Sequence, residues 1–262
     1  MLRILFFHMV MMFALSACSS APPPTLTPTP FQDTVVEPST TPTTPVTPSP
    51  NPTHFFPTVP PPPTRDPNFF RDEFIEILDA QWSWVREDPQ NWSLAIAPGS
   101  LQINVENGYV VAHNYSNLLL RSAPEGNFQI ETQLAFEPNQ NFAFAGLIIY
   151  ESDSNFVQAG HAFCSSLDCI GEGLYMNSYQ RGVVVKPSPM QAYTHSAPIF
   201  LRLSRRGDTY TFENSQNGDV WFFIGSQTST INPSQIGLVA SQNLGGDILP
   251  AKFGYFEVRG LP

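Results

Sequence analysis

The chain has 262 residues, and 22 Asp and Glu against 12 Lys and Arg give a formal net charge of −10. No basic patch or stripe is visible, which excludes nucleic acid as a partner, and an acidic surface disfavours adsorption to anionic lipid. Only three cysteines occur, too few for a disulfide-built scaffold.

At the N-terminus, Arg3 supplies a positive charge and Ile4 to Leu15 form an apolar run. That run is short for a membrane span. It leads into Leu15-Ser16-Ala17-Cys18. Small residues before a cysteine at this place resemble a bacterial lipoprotein cleavage box. The resemblance implies removal of residues 1–17 and a lipid on Cys18. An ordinary secretory signal is the alternative.

Residues 18–66 are dominated by Pro and Thr, with Pro22-Pro23-Pro24 and Pro60-Pro61-Pro62-Pro63. Proline fixes φ and lacks the amide donor, so helix and sheet ladders are both denied. The scattered apolar residues cannot make a core. A disordered, partly polyproline II tether is expected, with an upper reach of about 150 Å at about 3.1 Å per residue. Such a stalk would hold a folded domain, residues 67–262, away from a lipid surface. The expected location is the cell envelope, lipid-anchored and extracytoplasmic.

Within 67–262 the period-two pattern dominates. Phe128, Ile130, Thr132, Leu134 and Phe136 alternate with Gln129, Glu131, Gln133 and Ala135, as in a half-buried strand. Leu101, Ile103 and Val105 repeat the pattern, as do Leu201 and Leu203. Further strands are expected at Ala143–Tyr150, Phe156–Phe163, Gly173–Gln180, Thr209–Asn214, Val220–Ile224, Ile236–Ala240 and Lys252–Val258. Turn residues separate them, among them Asn107-Gly108, Glu125-Gly126-Asn127, Ser152-Asp153-Ser154-Asn155 and Asn217-Gly218-Asp219. Only Phe70–Leu78 shows a short helical pattern. Many short strands with frequent turns predict an all-β, two-sheet antiparallel sandwich.

Cys164 and Cys169 flank Ser165-Ser166-Leu167-Asp168. In an oxidising compartment a disulfide across this loop is favoured. Metal ligation with His161, although no fourth ligand is evident nearby, and two free thiols are the alternatives. Asp72, Asp219 and Asp247 are too scattered for a compact acidic loop, which leaves a structural Ca²⁺ optional and no other cofactor implied. His113 and His195 have no partners at ligand spacing and are expected at the surface.

In the folded region Asp72-Glu73-Phe74, Trp82-Ser83-Trp84, Asp88-Pro89-Gln90-Asn91-Trp92-Ser93-Leu94 and Pro98-Gly99-Ser100-Leu101 occur in order. Asn117-Leu118-Leu119-Leu120-Arg121, Ala145-Gly146-Leu147-Ile148-Ile149-Tyr150 and Asn155-Phe156-Val157 follow. Leu201-Arg202-Leu203, Tyr210-Thr211-Phe212, Ser215-Gln216-Asn217-Gly218 and Trp221 close the series. Together they resemble the C-terminal β-sandwich of family 43 β-xylosidases. The resemblance implies a jelly roll of the concanavalin A-like lectin/glucanase type, with Trp84, Trp92 and Trp221 in core roles. In those xylosidases the catalytic carboxylates belong to a separate β-propeller, so the resemblance carries over an association with glycans and no catalytic residue.

Jelly-roll glucanases set carboxylates in a Glu-x-Asp-x-x-Glu pattern, and paired acids serve glycoside hydrolysis. Glu151-Ser152-Asp153 is the only similar stretch. Phe156 stands where the third acid belongs, and the segment reads as a turn. A non-enzymatic module is therefore expected, with a glycoside hydrolase as the less favoured alternative. Tyr175, Asn177 and Tyr179 share one face of their strand, opposite Leu174 and Met176. Rings beside an amide suit sugars, and Gln158 and Arg202 stand on strands read as neighbours. These five residues are the candidate carbohydrate site, with a polysaccharide or glycan as partner. A protein-interaction module, docking a protein partner on a sandwich face, is the alternative.

Overall fold

The computed structural model describes residues 69–194, 198–242 and 245–262. The lipoprotein box, Cys18, the tether and His195 lie outside the described residues.

Among the described residues sixteen strands follow in chain order. They are β1 (Phe70–Asp72), β2 (Ser83–Val85), β3 (Trp92–Ser93), β4 (Leu101–Val105), β5 (Leu118–Ser122), β6 (Phe128–Ala135), β7 (Ala143–Ser152) and β8 (Asn155–Cys164). Then come β9 (Gly171–Gln180), β10 (Val183–Val185), β11 (Met190–Ala192), β12 (Ile199–Arg206), β13 (Thr209–Ser215), β14 (Phe222–Thr228), β15 (Gln235–Gln242) and β16 (Leu249–Gly260). Every pairing between them is antiparallel. The back sheet has the order β14-β13-β12-β6-β16-β4-β3, with β1 also on β16. The front sheet has the order β10-β9-β8-β7-β15-β5-β2, with β11 also on β9. Strands close in sequence switch between the two sheets, as in a jelly roll.

The alternation read from sequence sorts side chains to two faces. Leu134, Leu201, Leu203, Phe212 and Phe253 of the back sheet meet Leu147, Ile149, Leu174, Met176 and Leu238 of the front sheet, all fully buried. Each such side chain contributes roughly 1.5–3 kcal/mol on burial. Trp84 and Trp92 pack against this core with ring centroids 5.0 Å apart. Trp221 does not: it lies half-buried on the outer face of the back sheet, over Arg202.

Phe70–Leu78 is not helical. Phe70–Asp72 pairs with β16, and Phe74 and Glu76 adopt φ of 55° and 62°, which no right-handed helix contains. The Asp72 carboxylate holds this bend by accepting from the backbone N–H groups of Phe74 and Asp79 and from the Trp82 indole. Among the described residues the only helical turn is a 3-10 turn at Val110–Ala112. It belongs to a strap, Tyr109–Asn117, that folds over the outer face of the front sheet.

A second apolar cluster lies under that strap. Val110 and Tyr115 of the strap join Leu118, Leu120, Ile148, Phe156 and Tyr179. The front sheet is thus covered on both faces over part of its area. The uncovered remainder of the outer face is where the cleft opens.

Candidate functional site

The cleft is built by β7, β8 and β9. Along β9, Leu174 and Met176 point into the sandwich while Tyr175 and Tyr179 join the outer cluster. Gln158 and Asn177 are directly opposite each other on β8 and β9. Tyr175, Asn177, Tyr179 and Gln158 therefore lie together, lining a cleft of about 710 Å³. Tyr109, Phe142, Phe144, Val184 and Met190 add its apolar walls.

The two tyrosines are not exposed platforms. They are 5% and 7% accessible. The Tyr175 hydroxyl donates to the Gly171 carbonyl (2.6 Å) and accepts from the Ile170 N–H (3.2 Å). The Tyr179 ring stacks on Phe156 at 4.6 Å, and its hydroxyl is hydrogen-bonded to that of Tyr109. Burial pushes both phenols above their ordinary pKa, with the Tyr109 hydroxyl adding to the effect on Tyr179. Their hydroxyls are engaged with the protein, so the cleft receives only ring edges and faces from them.

Between the amides and the far wall, the outer face of β7 and β8 carries two glycines. Gly146 of β7 pairs with Gly160 of β8, which pairs with Tyr175. A Cβ on Gly160 would stand 2.1 Å from the Ala145 carbonyl oxygen, and one on Gly146 2.3 Å from that of Ala159. Only glycine allows this close approach.

At the far wall Cys164 and Cys169 are joined in a disulfide, with Cα atoms 5.6 Å apart. The bridge lines the cleft together with Phe144, Ala162 and Met190. Asp168 of the bridged loop accepts from the Lys186 ammonium at 3.0 Å on the lip. His161 stands on the opposite face of β8. Its Nδ1 is 3.0 Å from the Phe136 carbonyl and its Nε2 3.1 Å from Glu172. A zinc site joining His161 to the cysteines is thereby ruled out by strand parity. Among the described residues no group of three or more His, Cys, Asp or Glu is placed to hold a metal ion. Asp72, Asp219 and Asp247 sit on separate elements.

Arg202 is not part of the cleft. Its strand β12 belongs to the back sheet, between β6 and β13. The guanidinium stacks on Trp221 at 3.5 Å and donates to Glu131 at 3.0 and 3.1 Å. The two sheets interleave along the sequence, so strand spacing alone does not say which sheet a strand joins.

Glu151 and Ser152 end β7 and Asp153 opens the turn to β8, and both acids are used by the fold. Glu151 accepts from the Asn232 N–H at 2.8 Å. Asp153 accepts from the hydroxyls of Tyr115 (2.6 Å) and Tyr150 (2.7 Å), His113 Nδ1 (2.6 Å) and Arg86 (3.1 Å). Burial raises its pKa, but these four hydrogen bonds outweigh burial and hold the carboxyl below the usual range. It pins the strap rather than facing a scissile bond. His113 is exposed but partnered by this carboxylate.

Sequence reasoning missed Tyr109, Phe142, Phe144, Val184 and Met190. Phe144 was within reach, since it shares outward parity with Ile148 on β7. Tyr109 comes from the strap, Phe142 from the loop before β7, and Val184 and Met190 from the three-residue strands β10 and β11, too short for a period-two pattern.

A two-sheet jelly roll with an aromatic cleft on the outer face of one sheet defines a concanavalin A-like sandwich. Residues 71–259 match the family described as the β-xylosidase C-terminal concanavalin A-like domain, and the chain belongs to that family. No curated protein matches the sequence. Among solved structures, a GH43 protein from Bacillus licheniformis superposes with a TM-score of 0.65 at 20% identity, over 78% of this chain and 41% of that one. The xylan β-1,4-xylosidase of Bacillus halodurans C-125 gives 0.60 at 20% identity, over 78% and 41%. A β-glucanase from Bacillus licheniformis gives 0.51 at 11% identity, over 74% of this chain and 99% of that one. At these identities the likeness is one of fold. This chain spans about two fifths of the two GH43 proteins, and its family match is to their C-terminal, non-catalytic domain.

Proposed function

We propose that this protein is a non-catalytic, lipid-anchored module of the cell envelope that binds carbohydrate in the front-sheet cleft. Cys18 carries the lipid, and the Pro/Thr-rich stretch to Asp66 spaces the sandwich from the membrane. The observation that supports binding best is the pair Gln158 and Asn177. Their amides sit side by side in an aromatic cleft, and neither side chain is hydrogen-bonded to another described residue. Amides held ready beside rings match the hydroxyls and C–H faces of a sugar. Non-catalysis is favoured because the carboxylates Glu151 and Asp153 are both engaged by the protein. Binding needs no cofactor, and a Ca²⁺ would be structural only.

Binding is expected to be weak, with Kd from tens of micromolar to millimolar, since wet polar contacts give little net energy. Titration calorimetry of the full chain, made without lipid by Cys18→Ala, against a panel of neutral polysaccharides tests this. Gln158→Ala combined with Asn177→Ala should weaken binding about tenfold, which is about 1.4 kcal/mol. Failure to bind across the panel overturns the reading.

A protein-docking role has one observation in its favour. Val220, Phe222 and Phe223 are exposed at the edge of the back sheet, the two phenylalanines by 55% and 63%. A dominant protein partner lost on Phe223→Ser would support that alternative.

A further inference from the structure

The cleft is chemically two-ended. Gln158 and Ala162 lie four residues apart on β8, about 13 Å at about 3.3 Å per residue. At the Gln158 end two amides line the cleft, that of Gln158 buried and that of Asn177 half-buried. At the Ala162 end stand Phe144, Ala162, the disulfide and Met190. The glycine strip of Gly146 and Gly160 lies between them without a side chain. Tyr175, which stands beside the strip, has its hydroxyl tied back to Gly171 and Ile170, so it presents carbon. Ser241, paired with Phe144 across β15 and β7, places one small hydroxyl beside the apolar wall. On the lip, Lys186 is paired with Asp168, so no uncompensated charge faces a ligand there.

A plain sugar chain would leave the apolar end poorly filled, because every ring of it carries hydroxyls. From this polarity we propose that the cleft recognises a neutral sugar bearing an apolar substituent, an aryl or acyl group, with the sugar on Gln158 and Asn177 and the substituent against Phe144, Met190 and the disulfide. The inference rests on the carbohydrate reading of the same cleft. The Ser241 hydroxyl suits the single oxygen of an ester or phenol. An uncharged substituent is required, since a carboxylate or sulfate at the wall would meet a lip cation already neutralised by Asp168.

The test compares phenyl and methyl β-D-glucopyranoside, and phenyl and methyl β-D-xylopyranoside, with phenol as a third probe. Each is titrated into the full chain carrying Cys18→Ala. The phenyl glycoside of at least one pair should bind about tenfold or more tightly than its methyl counterpart, and phenol should bind more weakly than that phenyl glycoside. Met190→Asn, at a partly exposed edge position, should reduce the phenyl-to-methyl ratio several-fold. Thermal melting confirms that the variant is folded. Equal binding of phenyl and methyl glycosides overturns the two-ended cleft and leaves carbohydrate binding standing. Binding of phenol as tight as the phenyl glycoside overturns the role of the amides. Binding of none of the five compounds overturns the inference.

Discussion

Asp153→Ala removes the acceptor for four donors at once, and the structure lets the cost be worked out. Its side chain is only 11% accessible. Tyr115 is buried in the strap cluster, so its hydroxyl would lose its charged acceptor and keep only the Tyr150 hydroxyl beside it. Losing a hydrogen bond to a charged acceptor costs about 1.5–3 kcal/mol. Tyr150 is partly exposed and adds about 1 kcal/mol. Arg86 and His113 are on the surface and add a few tenths of a kcal/mol. The total is about 3 kcal/mol, or about 10 °C in Tm for a domain of this size. Calorimetric melting reads it directly, and limited proteolysis should cut first within Tyr109–Asn117, the strap that the carboxylate pins. Asp153→Asn, which keeps one acceptor oxygen, should cost about half as much. The pH dependence has a fixed sign. The folded carboxyl is held below its ordinary pKa, so its contribution is complete above the unfolded value and is lost as pH falls through the folded one. The gap between wild type and Asp153→Ala should be level from about pH 5 to 7 and shrink below about pH 4. A loss under about 1 kcal/mol at neutral pH, with the strap still protected, would refute the pinning role.

Gly160→Ala should cost more than about 2 kcal/mol, since its Cβ meets backbone and no rotamer relieves that contact; urea unfolding measures it. Arg202→Ala should destabilise by about 2–3 kcal/mol because Glu131, largely buried, keeps only the Tyr255 hydroxyl as a donor. The same variant should leave sugar affinity unchanged, as Arg202 lies on the other sheet; a loss of binding in a folded protein would contradict that. Cys18→Ala should move the protein from the detergent-extracted membrane fraction to soluble or unprocessed forms. Persistent lipid labelling of that variant would remove Cys18 as the anchor.

The legible part of this molecule is the part governed by period two. Leu174, Tyr175, Met176 and Tyr179 were sorted to their faces by alternation alone, and the structure puts them there. The edges of strands moved by a residue or two, as β14 shows. It begins at Phe222 rather than Val220 because Asn217 caps the preceding turn, accepting from Asp219 and Val220. Phe70–Leu78 misled because three apolar residues at helical spacing also suit a bend, provided an aspartate two residues upstream of Phe74 captures the free N–H groups.

What alternation cannot convey is which outer face is dry. Tyr175 and Tyr179 point outward, and an outward tyrosine usually covers a sheet in contact with water. Here the strap of Tyr109–Asn117 closes over that face and converts part of it into a second core. The strap stays because one turn acid, Asp153, gathers two hydroxyls, an imidazole and a guanidinium from three separate segments. Residues that read as a degenerate catalytic pattern thus decide how far the cleft extends. The strap buries Phe156 and Tyr179 at one end of β8 and β9, and the opening begins at the amides of Gln158 and Asn177. Loosening the strap at Asp153 should lengthen the cleft toward Phe156, and the physical link between fold and ligand is therefore a pinned loop rather than the sheet itself.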